Sequence, residues 1–275
     1  MLGPECPMNQ DANDPTFVET LIEPLRSCAT YTPKLGTSDA DGIGLSGFQR
    51  IYSSDPLYHW VGLDSPLMYA AHKAAGGMTS IYRQLGTGCE RLFRAVLQAQ
   101  LGLTTENLRW GFDIEQDDGQ SRRIELDARI SVTDLITVTA SDRFAEWLRD
   151  AAVFLELDRR KRRIKGAVFE VRQGYKSTDA KRQNADLTFG MRSMNDGHIP
   201  VIAVFSSQIS ETVLRRYRNG QILLLTGTRC GDPVKDTYAF FSDVIGYPLA
   251  EFFERNPVRI RAEVGVILRG LLSSE

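Results

Sequence analysis

Two stretches near the middle of the chain, residues 110–116 and 122–130, alternate between apolar and polar positions. This alternation is typical of half-buried β-strands, and the Asp117-Asp118-Gly119 turn signal between them predicts a hairpin. Three later runs are almost wholly apolar and predict buried strands: residues 167–171, 199–205 and 221–226. Helical patterns lie between and after these runs. The order of elements predicts an α/β fold with a mixed central sheet flanked by helices.

The first half of the chain has a mainly helical pattern. Apolar residues recur at helical spacing over residues 66–103, with expected interruptions at Gly76-Gly77 and at Gly86-Thr87-Gly88. Residues 33–66 are rich in Gly, Ser, Asp and Pro and are expected to be irregular. We therefore expect a helical N-terminal region with a loose arm over residues 1–85, and an α/β core with a helical C-terminal end over residues 86–275.

Composition narrows the class of protein. The chain has 275 residues, of which 42% are hydrophobic and 25% charged, which is enough for a globular core. The formal net charge is only -2, so any basic surface must be local. The four cysteines form no CxxC pair, which argues against a zinc site. The chain lacks a signal-peptide pattern and a run long enough to span a bilayer, so we expect a cytoplasmic protein.

The first candidate for chemistry is Asp127. In the alternating stretch 122–130, Asp127 falls on the charged face together with Arg123, Glu125 and Arg129. One interpretation is a strand whose charged face is simply solvated. The other is that Asp127 lies on the inner part of the strand and points into a cleft. The residues of this stretch alone favour the first interpretation.

The second candidate is Glu170, which lies near the end of an apolar run, with Val168 and Val171 on either side of it. A buried carboxylate is unfavourable unless something compensates it. On a regular strand Glu170 shares a face with Arg172 and Lys176. Carboxylates bind Mg²⁺ through oxygen, and a nearby cation can stabilise the charge that develops during phosphodiester hydrolysis. The structural alternative is an ion pair with Arg123 or Arg129 across the sheet.

Glu90 is a third candidate, at the predicted start of a helix after the second glycine pair. A carboxylate in a first helical turn is also explained by the helix dipole alone. Only the company of Asp127 and Glu170 makes Glu90 a candidate metal ligand.

Two cationic segments are candidates for contact with DNA. The first is the dense run that includes Arg159, Arg160 and Arg162, which could add affinity without specificity or be only a solvated loop. The second follows Glu170. Arginine and the side-chain amides suit hydrogen bonding to base edges, so this segment is a candidate for sequence reading. Its candidate residues are Lys176, Lys181, Arg182, Gln183 and Asn184.

Residues 173–186 and 86–94 together resemble the type II restriction endonucleases of the PD-(D/E)XK superfamily, and the first segment is most similar to the DdeI/BbvCI group. The resemblance covers about residues 56 to 205. It implies a PD-(D/E)XK nuclease-like core, a Mg²⁺ cofactor and a double-stranded DNA substrate. It also implies a homodimer, or a heterodimer if the target is asymmetric, and a cognate DNA methyltransferase in the same restriction–modification system.

Carried over by position, the resemblance makes Asp127 the first acidic ligand and Glu170 the second. The family's lysine two places after the glutamate is Arg172 here, so either Arg172 fills its place or Lys176 supplies the ammonium group. Gln173 is expected to orient a water molecule. Three hypotheses follow: a sequence-specific endonuclease, a structure-specific repair or recombination nuclease, and a DNA-binding protein that has lost catalysis.

Overall fold

The computed structural model describes residues 10–35, 42–115, 119–157, 163–175 and 180–273, without the side chains of residues 10, 11, 180 and 181. These residues form two compact units. One comprises residues 10–17 and Cys89–Arg255, and the other comprises Val18–Gly88 and residues 256–273. The predicted domain boundary after residue 85 stays a prediction.

The helices and strands are numbered here in chain order. The α-helices are α1 (Asp14–Arg26), α2 (Leu45–Ser54), α3 (Pro56–Trp60), α4 (Pro66–Leu101), α5 (Thr105–Leu108), α6 (Val138–Phe154), α7 (Ala180–Asn195), α8 (Glu211–Asn219), α9 (Thr237–Ala239), α10 (Leu249–Arg255) and α11 (Pro257–Leu272). The strands are β1 (Gly111–Glu115), β2 (Ser121–Glu125), β3 (Ala128–Ser131), β4 (Gly166–Arg172), β5 (His198–Val204) and β6 (Leu223–Leu225). Gln10–Asn13 and Val132–Asp134 are 3-10 helices, and Phe240–Ile245 is a π-helix.

The first unit contains a four-stranded sheet in the order β3-β4-β5-β6. Strand β3 is antiparallel to β4, whereas β4, β5 and β6 run parallel to one another. The predicted α/β class, with a mixed sheet flanked by helices and a helical N-terminal part, is therefore confirmed. The apolar runs form strands because the central strands β4 and β5 are covered on both faces and need apolar residues at successive positions.

The predicted hairpin is present as β1 and β2, with Phe112 opposite Ile124. However, the prediction of one strand over residues 122–130 is wrong. The chain changes partner at residues 126 and 127: the Leu126 amide donates to the Trp110 carbonyl, whereas the Asp127 amide donates to the Phe169 carbonyl. The polar–apolar alternation continues through this junction, which is why the sequence concealed it.

The two faces of β4 meet different layers. Val168 packs in a cluster that includes Ile202 and residues of α7 and α8, among them Phe189 and Tyr217. On the opposite face, Phe169 contacts an aromatic group of Phe93, Trp147 and Phe240. Because strand neighbours alternate between faces, Glu170 and Arg172 lie on the α7 side with Val168.

Two expectations about the N-terminal part are wrong. Helix α4 runs without interruption from Pro66 to Leu101, and its glycines admit close neighbours: a Cβ on Gly77 would lie 2.4 Å from Leu271 Cδ2, and one on Gly88 would lie 2.3 Å from the Leu21 carbonyl oxygen. The region 33–66, which was expected to be irregular, contains α2 and α3. Among all described residues, no helix has the length and apolar character to cross a membrane.

Candidate active site

Asp127 lies at the junction where β2 ends and β3 begins. Its Oδ2 accepts a hydrogen bond of 2.7 Å from the Val171 amide, which ties it to β4. Arg94 of α4 donates from Nη2 to Asp127 Oδ1 at 3.2 Å, and from Nε to the Asp127 carbonyl oxygen. Asp127 and Arg94 line a cleft of about 240 Å³ that also includes Arg109 and Glu125. The carboxylate is thus fixed in place at a cleft wall.

Glu170 lies on β4, next to Val171, whose amide donates to Asp127. The Glu170 side chain is 26% exposed. Arg172 Nη2 lies 3.5 Å from Glu170 Oε1, which is within ion-pair range but exceeds ordinary hydrogen-bond length. The alternative pairing with Arg123 or Arg129 is wrong. Arg123 pairs with Asp113, on the hairpin, and Arg129 pairs with Asp134.

Glu90 lies in the interior of α4 and is half-buried. The expectation that it opens a helix is wrong because α4 begins at Pro66. A first-turn interaction with the helix dipole therefore does not explain this carboxylate. Arg94 lies four residues later on the same helix, at the spacing that places two side chains on one face.

Glu90, Asp127 and Glu170, which we call the acidic cluster, influence one another electrostatically. Burial raises the pKa of Glu170 above its ordinary value, and the Asp127 carboxylate raises it further. Burial also raises the pKa of Asp127, reinforced by Glu90, and the pKa of Glu90, reinforced by Glu170. The neighbouring arginines oppose these shifts but do not cancel them. Each of the three carboxyl groups therefore binds a proton more tightly than an ordinary one does.

An oxygen-only donor set of this kind suits Mg²⁺ or Mn²⁺. Within the described ranges, however, no three Asp, Glu, His or Cys side chains are close enough together to hold a metal ion. Both carboxylate oxygens of Asp127 already accept hydrogen bonds. The donor chemistry fits a hard divalent cation, whereas a complete ligand set is not assembled in this conformation.

Arg172, which occupies the position of the family's lysine, is only 4% exposed. Its Nη2 donates to Asp186 Oδ1 at 2.6 Å, and its Cζ lies 5.0 Å from the centroid of the Tyr175 ring. Nε and Nη1 are buried and find no hydrogen-bond partner among the described residues. An arginine does not readily give up a proton, and this one is enclosed. The geometry therefore does not favour Arg172 as the proton donor.

The segment after Glu170 is only partly described. Lys176 lies outside the described residues, and so does the side chain of Lys181. Arg182 is exposed on the first turn of α7, where its charge lowers the pKa of both Glu90 and Glu170 against the larger effect of burial. Gln173 is half-buried, and its carbonyl accepts a hydrogen bond from the Ser206 amide.

Gln183 and Asn184, both predicted to contact DNA, are bound to Arg216 of α8. Gln183 is 5% exposed and its Oε1 accepts a hydrogen bond of 2.7 Å from Arg216 Nη1. Asn184 is exposed, and its Oδ1 accepts one of 2.7 Å from Arg216 Nη2. Burial keeps the Gln183 amide from a base edge in this conformation, whereas Asn184 remains on the surface.

The predicted basic run falls largely outside the described residues, including Arg159, Arg160 and Arg162. Its neighbour Lys165 is described, and its Nζ donates to Asp196 Oδ1 at 3.1 Å.

Serine, histidine and aspartate side chains also form a row at the other end of β4 and β5. Ser131 Oγ lies 3.4 Å from His198 Nε2, and His198 Nδ1 lies 3.1 Å from Asp196 Oδ2. Ser131 is 8% exposed and His198 is 2% exposed. A nucleophile that a substrate cannot reach does not support hydrolase chemistry, so we interpret this row as structural.

Sequence reasoning overlooked three side chains that shape the acidic cluster: Arg94, Asp186 and Tyr217. Arg94 could have been found from its helical spacing to Glu90. Asp186 and Tyr217 gave no comparable signal, because Asp186 reaches Arg172, and Tyr217 reaches Asp186, only through tertiary packing. Comparisons with family models, curated proteins and solved structures found no match to this chain.

Proposed function

We propose that this protein is a Mg²⁺-dependent, sequence-specific double-stranded DNA endonuclease with a PD-(D/E)XK nuclease-like core. The observation that carries the proposal is the acidic cluster of Glu90, Asp127 and Glu170, in which burial, and after it a neighbouring carboxylate, raises the pKa of each group. Carboxyl groups with raised pKa values beside a cleft are enriched at functional sites. A divalent cation would stabilise their charged forms.

The arrangement of strands supports the same proposal. Asp127 precedes β3, Glu170 lies on β4, and these two strands pair antiparallel. The hydrogen bond from the Val171 amide to Asp127 fixes the spacing between the two acidic positions. The sequence resemblance assigns the two metal ligands to this same pair of residues.

The chain's own residues divide the work as follows. Asp127, Glu170 and Glu90 would hold the metal once they lie closer together than in this structure, and Arg94 keeps Asp127 oriented at the cleft. When bound, Mg²⁺ lowers the pKa of a water molecule and polarises the phosphate. Arg182 is exposed and lies within electrostatic range of two of the carboxylates, so it is suited to bind a DNA phosphate. Lys176 stays the predicted source of the ammonium group.

A plasmid digest tests the proposal. Supercoiled DNA is incubated with the protein in Mg²⁺, in Ca²⁺ and in EDTA. We expect discrete linear fragments with Mg²⁺ alone, at positions set by the DNA sequence. A smear, or cleavage restricted to branched substrates, would instead indicate a repair or recombination nuclease. An absence of cleavage with every divalent cation, including Mn²⁺, would contradict the proposal of a nuclease.

A second function, DNA binding without cleavage, is favoured by one observation. The residue at the lysine position, Arg172, is buried and bonded to Asp186. If no other cation replaces the lysine, the protein would bind its site and leave it intact. A gel-shift assay in Ca²⁺ beside the digest separates the two functions, because a retarded band without cleavage in Mg²⁺ supports only binding.

Cutting both strands requires two active sites or two successive nicks. We therefore extend the proposal to a homodimer, or to a heterodimer if the target sequence is asymmetric, since two-fold symmetry matches a palindromic target. A DNA methyltransferase that protects the same sequence is the expected companion activity. Light scattering of the protein with and without DNA would give the number of subunits.

A further inference from the structure

The neighbours of Arg172 differ sharply in how closely they approach it. Arg172 Nη2 lies 2.6 Å from Asp186 Oδ1, but 3.5 Å from Glu170 Oε1. The first distance is that of a strong charge-assisted hydrogen bond, whereas the second is too long for a good one. Arg172 therefore forms its hydrogen bond with Asp186, and Glu170, two residues away on the same strand face, is within ion-pair range only.

Asp186 is itself firmly held. Its Oδ2 accepts a hydrogen bond of 2.5 Å from the Tyr217 hydroxyl, so each of its carboxylate oxygens has a donor. The Tyr217 hydroxyl also lies 2.5 Å from that of Tyr175, whose ring lies beneath the guanidinium. Asp186 and Tyr217 are both buried. The four side chains come from β4, the residues just after it, α7 and α8, and Asp186 is the one that accepts the hydrogen bond from Arg172.

We propose that Asp186 is a positioning residue, which keeps Arg172 from closing its 3.5 Å ion pair with Glu170 to a hydrogen bond and so keeps the Glu170 carboxylate available to a divalent cation. A carboxylate that is paired with a buried arginine is a poor metal ligand, because the arginine competes with the metal for the same oxygens. The inference rests on the proposed function in one respect: it takes Glu170 to be a metal ligand.

The arrangement also accounts for the arginine at this position. A lysine would present a compact, mobile charge that could reach Glu170. The flat guanidinium donates a hydrogen bond to the Asp186 carboxylate and lies over the Tyr175 ring. It thereby neutralises Asp186 inside the protein. Arg172 then supports the structure around the site, and Asp186 compensates its charge in the metal-free protein.

The test is a double-mutant cycle on Mn²⁺ affinity, measured by calorimetry without DNA at pH 8.5. The variants are Asp186→Asn, Arg172→Gln and the two combined, with Tyr217→Phe as a control that keeps both charges. We expect Asp186→Asn to weaken Mn²⁺ binding by about tenfold or more, since a carboxylate newly paired with arginine is stabilised by that much. With Arg172 replaced, the same substitution should have little effect, and Tyr217→Phe should bind Mn²⁺ nearly as well as the wild type.

An equal loss of affinity from Asp186→Asn in both backgrounds would overturn the proposal, because Asp186 would then act only through its own charge. Thermal unfolding establishes that each variant is folded. If a single variant fails to fold, the combined variant still decides the matter, since removing both members of a buried ion pair is often tolerated. That variant should bind Mn²⁺ as the wild type does, and a large loss there would contradict the proposal.

A crystal structure of metal-free Asp186→Asn separates this inference from the proposed function. We expect Arg172 to move to within about 3 Å of Glu170. If the wild type binds no divalent cation, the proposed function fails, while this structure still reports whether Asp186 holds the arginine. If the wild type binds Mn²⁺ but Arg172 stays in place and affinity is unchanged in the variant, the inference alone fails.

Discussion

An acidic residue lies near each end of the β4–β5 strand pair, Asp196 at one end and Glu170 at the other, and their pKa values are shifted in opposite directions. At the end where Gly166 lies opposite His198, which we call the His198 end, Asp196 accepts hydrogen bonds from Trp110 Nε1 at 2.8 Å and from Lys165 Nζ at 3.1 Å. Burial acts to raise the pKa of Asp196, but these donors outweigh it and the pKa is lowered.

At the other end, which we call the Glu170 end, the pKa of Glu170 is raised by burial and by Asp127. The nearby Arg172 donates to Asp186 at 2.6 Å and lies 3.5 Å from Glu170. The same sheet thus gives one carboxylate two hydrogen-bond donors and the other an ion pair beyond ordinary hydrogen-bond length. Stability alone explains the His198 end, whereas the raised pKa of Glu170 is what the proposed metal site would account for.

The largest expected difference between the two ends is in cleavage. Glu170→Gln should reduce the rate of DNA cleavage by more than about 100-fold, because loss of a direct metal ligand exceeds the loss caused by an outer partner. DNA binding in Ca²⁺ should persist. Asp196→Asn is the matched control and should cut at nearly the wild-type rate. Equal activity of the two variants in a plasmid assay would remove the functional distinction between the ends.

Divalent cations should stabilise the Glu170 end selectively. At a Ca²⁺ concentration near 100 times the dissociation constant, the free energy of unfolding of the wild type should rise by about 2.7 kcal/mol. The rise should vanish in Glu170→Gln and persist in Asp196→Asn. Chemical denaturation with and without Ca²⁺ measures it. A similar rise in Glu170→Gln would show that the cation binds elsewhere.

The pH dependence of stability should have opposite signs at the two ends. The raised pKa of Glu170 means that the folded protein binds its proton more tightly than the unfolded chain does. Its stabilising contribution is complete below the ordinary pKa of 4.5 and is lost as pH rises through the folded value. Without metal, the free energy of unfolding of Glu170→Gln should therefore rise relative to that of the wild type as pH increases over this range, by about 1–3 kcal/mol.

Asp196 should behave in the reverse manner, because its pKa is lowered in the folded protein. Its contribution is present above the ordinary pKa of 3.8 and is lost as pH falls through the folded value. Urea unfolding of both variants between pH 3 and pH 9, beside the wild type, gives the two curves. Parallel curves would contradict the contrast between the ends.

The smallest expected effect concerns phosphate contact. Arg182→Ala should weaken DNA binding to any sequence alike, and should reduce the slope of log affinity against log salt by about 1. Lys165→Ala, at the His198 end, should leave the slope unchanged, because Lys165 is paired with Asp196. Fluorescence anisotropy at several salt concentrations measures both. An unchanged slope for Arg182→Ala would place the DNA elsewhere.

The sheet and hairpin could be predicted from sequence because their signals are local. The apolar residues of β4 and β5 follow one another along the chain, and Glu170 stands out against them. The glycines of α4 misled for a physical reason. The sequence does not distinguish a glycine that ends a helix from one that allows another segment to pack closely. The close neighbours of Gly77 and Gly88 show that these two are of the second kind.

The candidate site was only partly predictable for the same reason. Asp127 and Glu170 could be singled out because a carboxylate in a strand pattern needs an explanation. The role of Arg172 could not, because its partner Asp186 lies on another element, and their pairing depends on how α7 packs against β4. The change of strand partner at Asp127 was likewise concealed, since the Leu126 and Asp127 amides donate to carbonyl groups that are distant along the chain.

The hydrogen bond between Asp127 and the Val171 amide also bears on the order of folding. The two residues are separated along the chain by the whole of α6, so this bond forms only after a long loop has closed. Long-range strand pairing of this kind is among the slower events in the folding of a domain. Under the proposed function, a newly made chain would carry both acidic residues and still be harmless to DNA until that closure was complete.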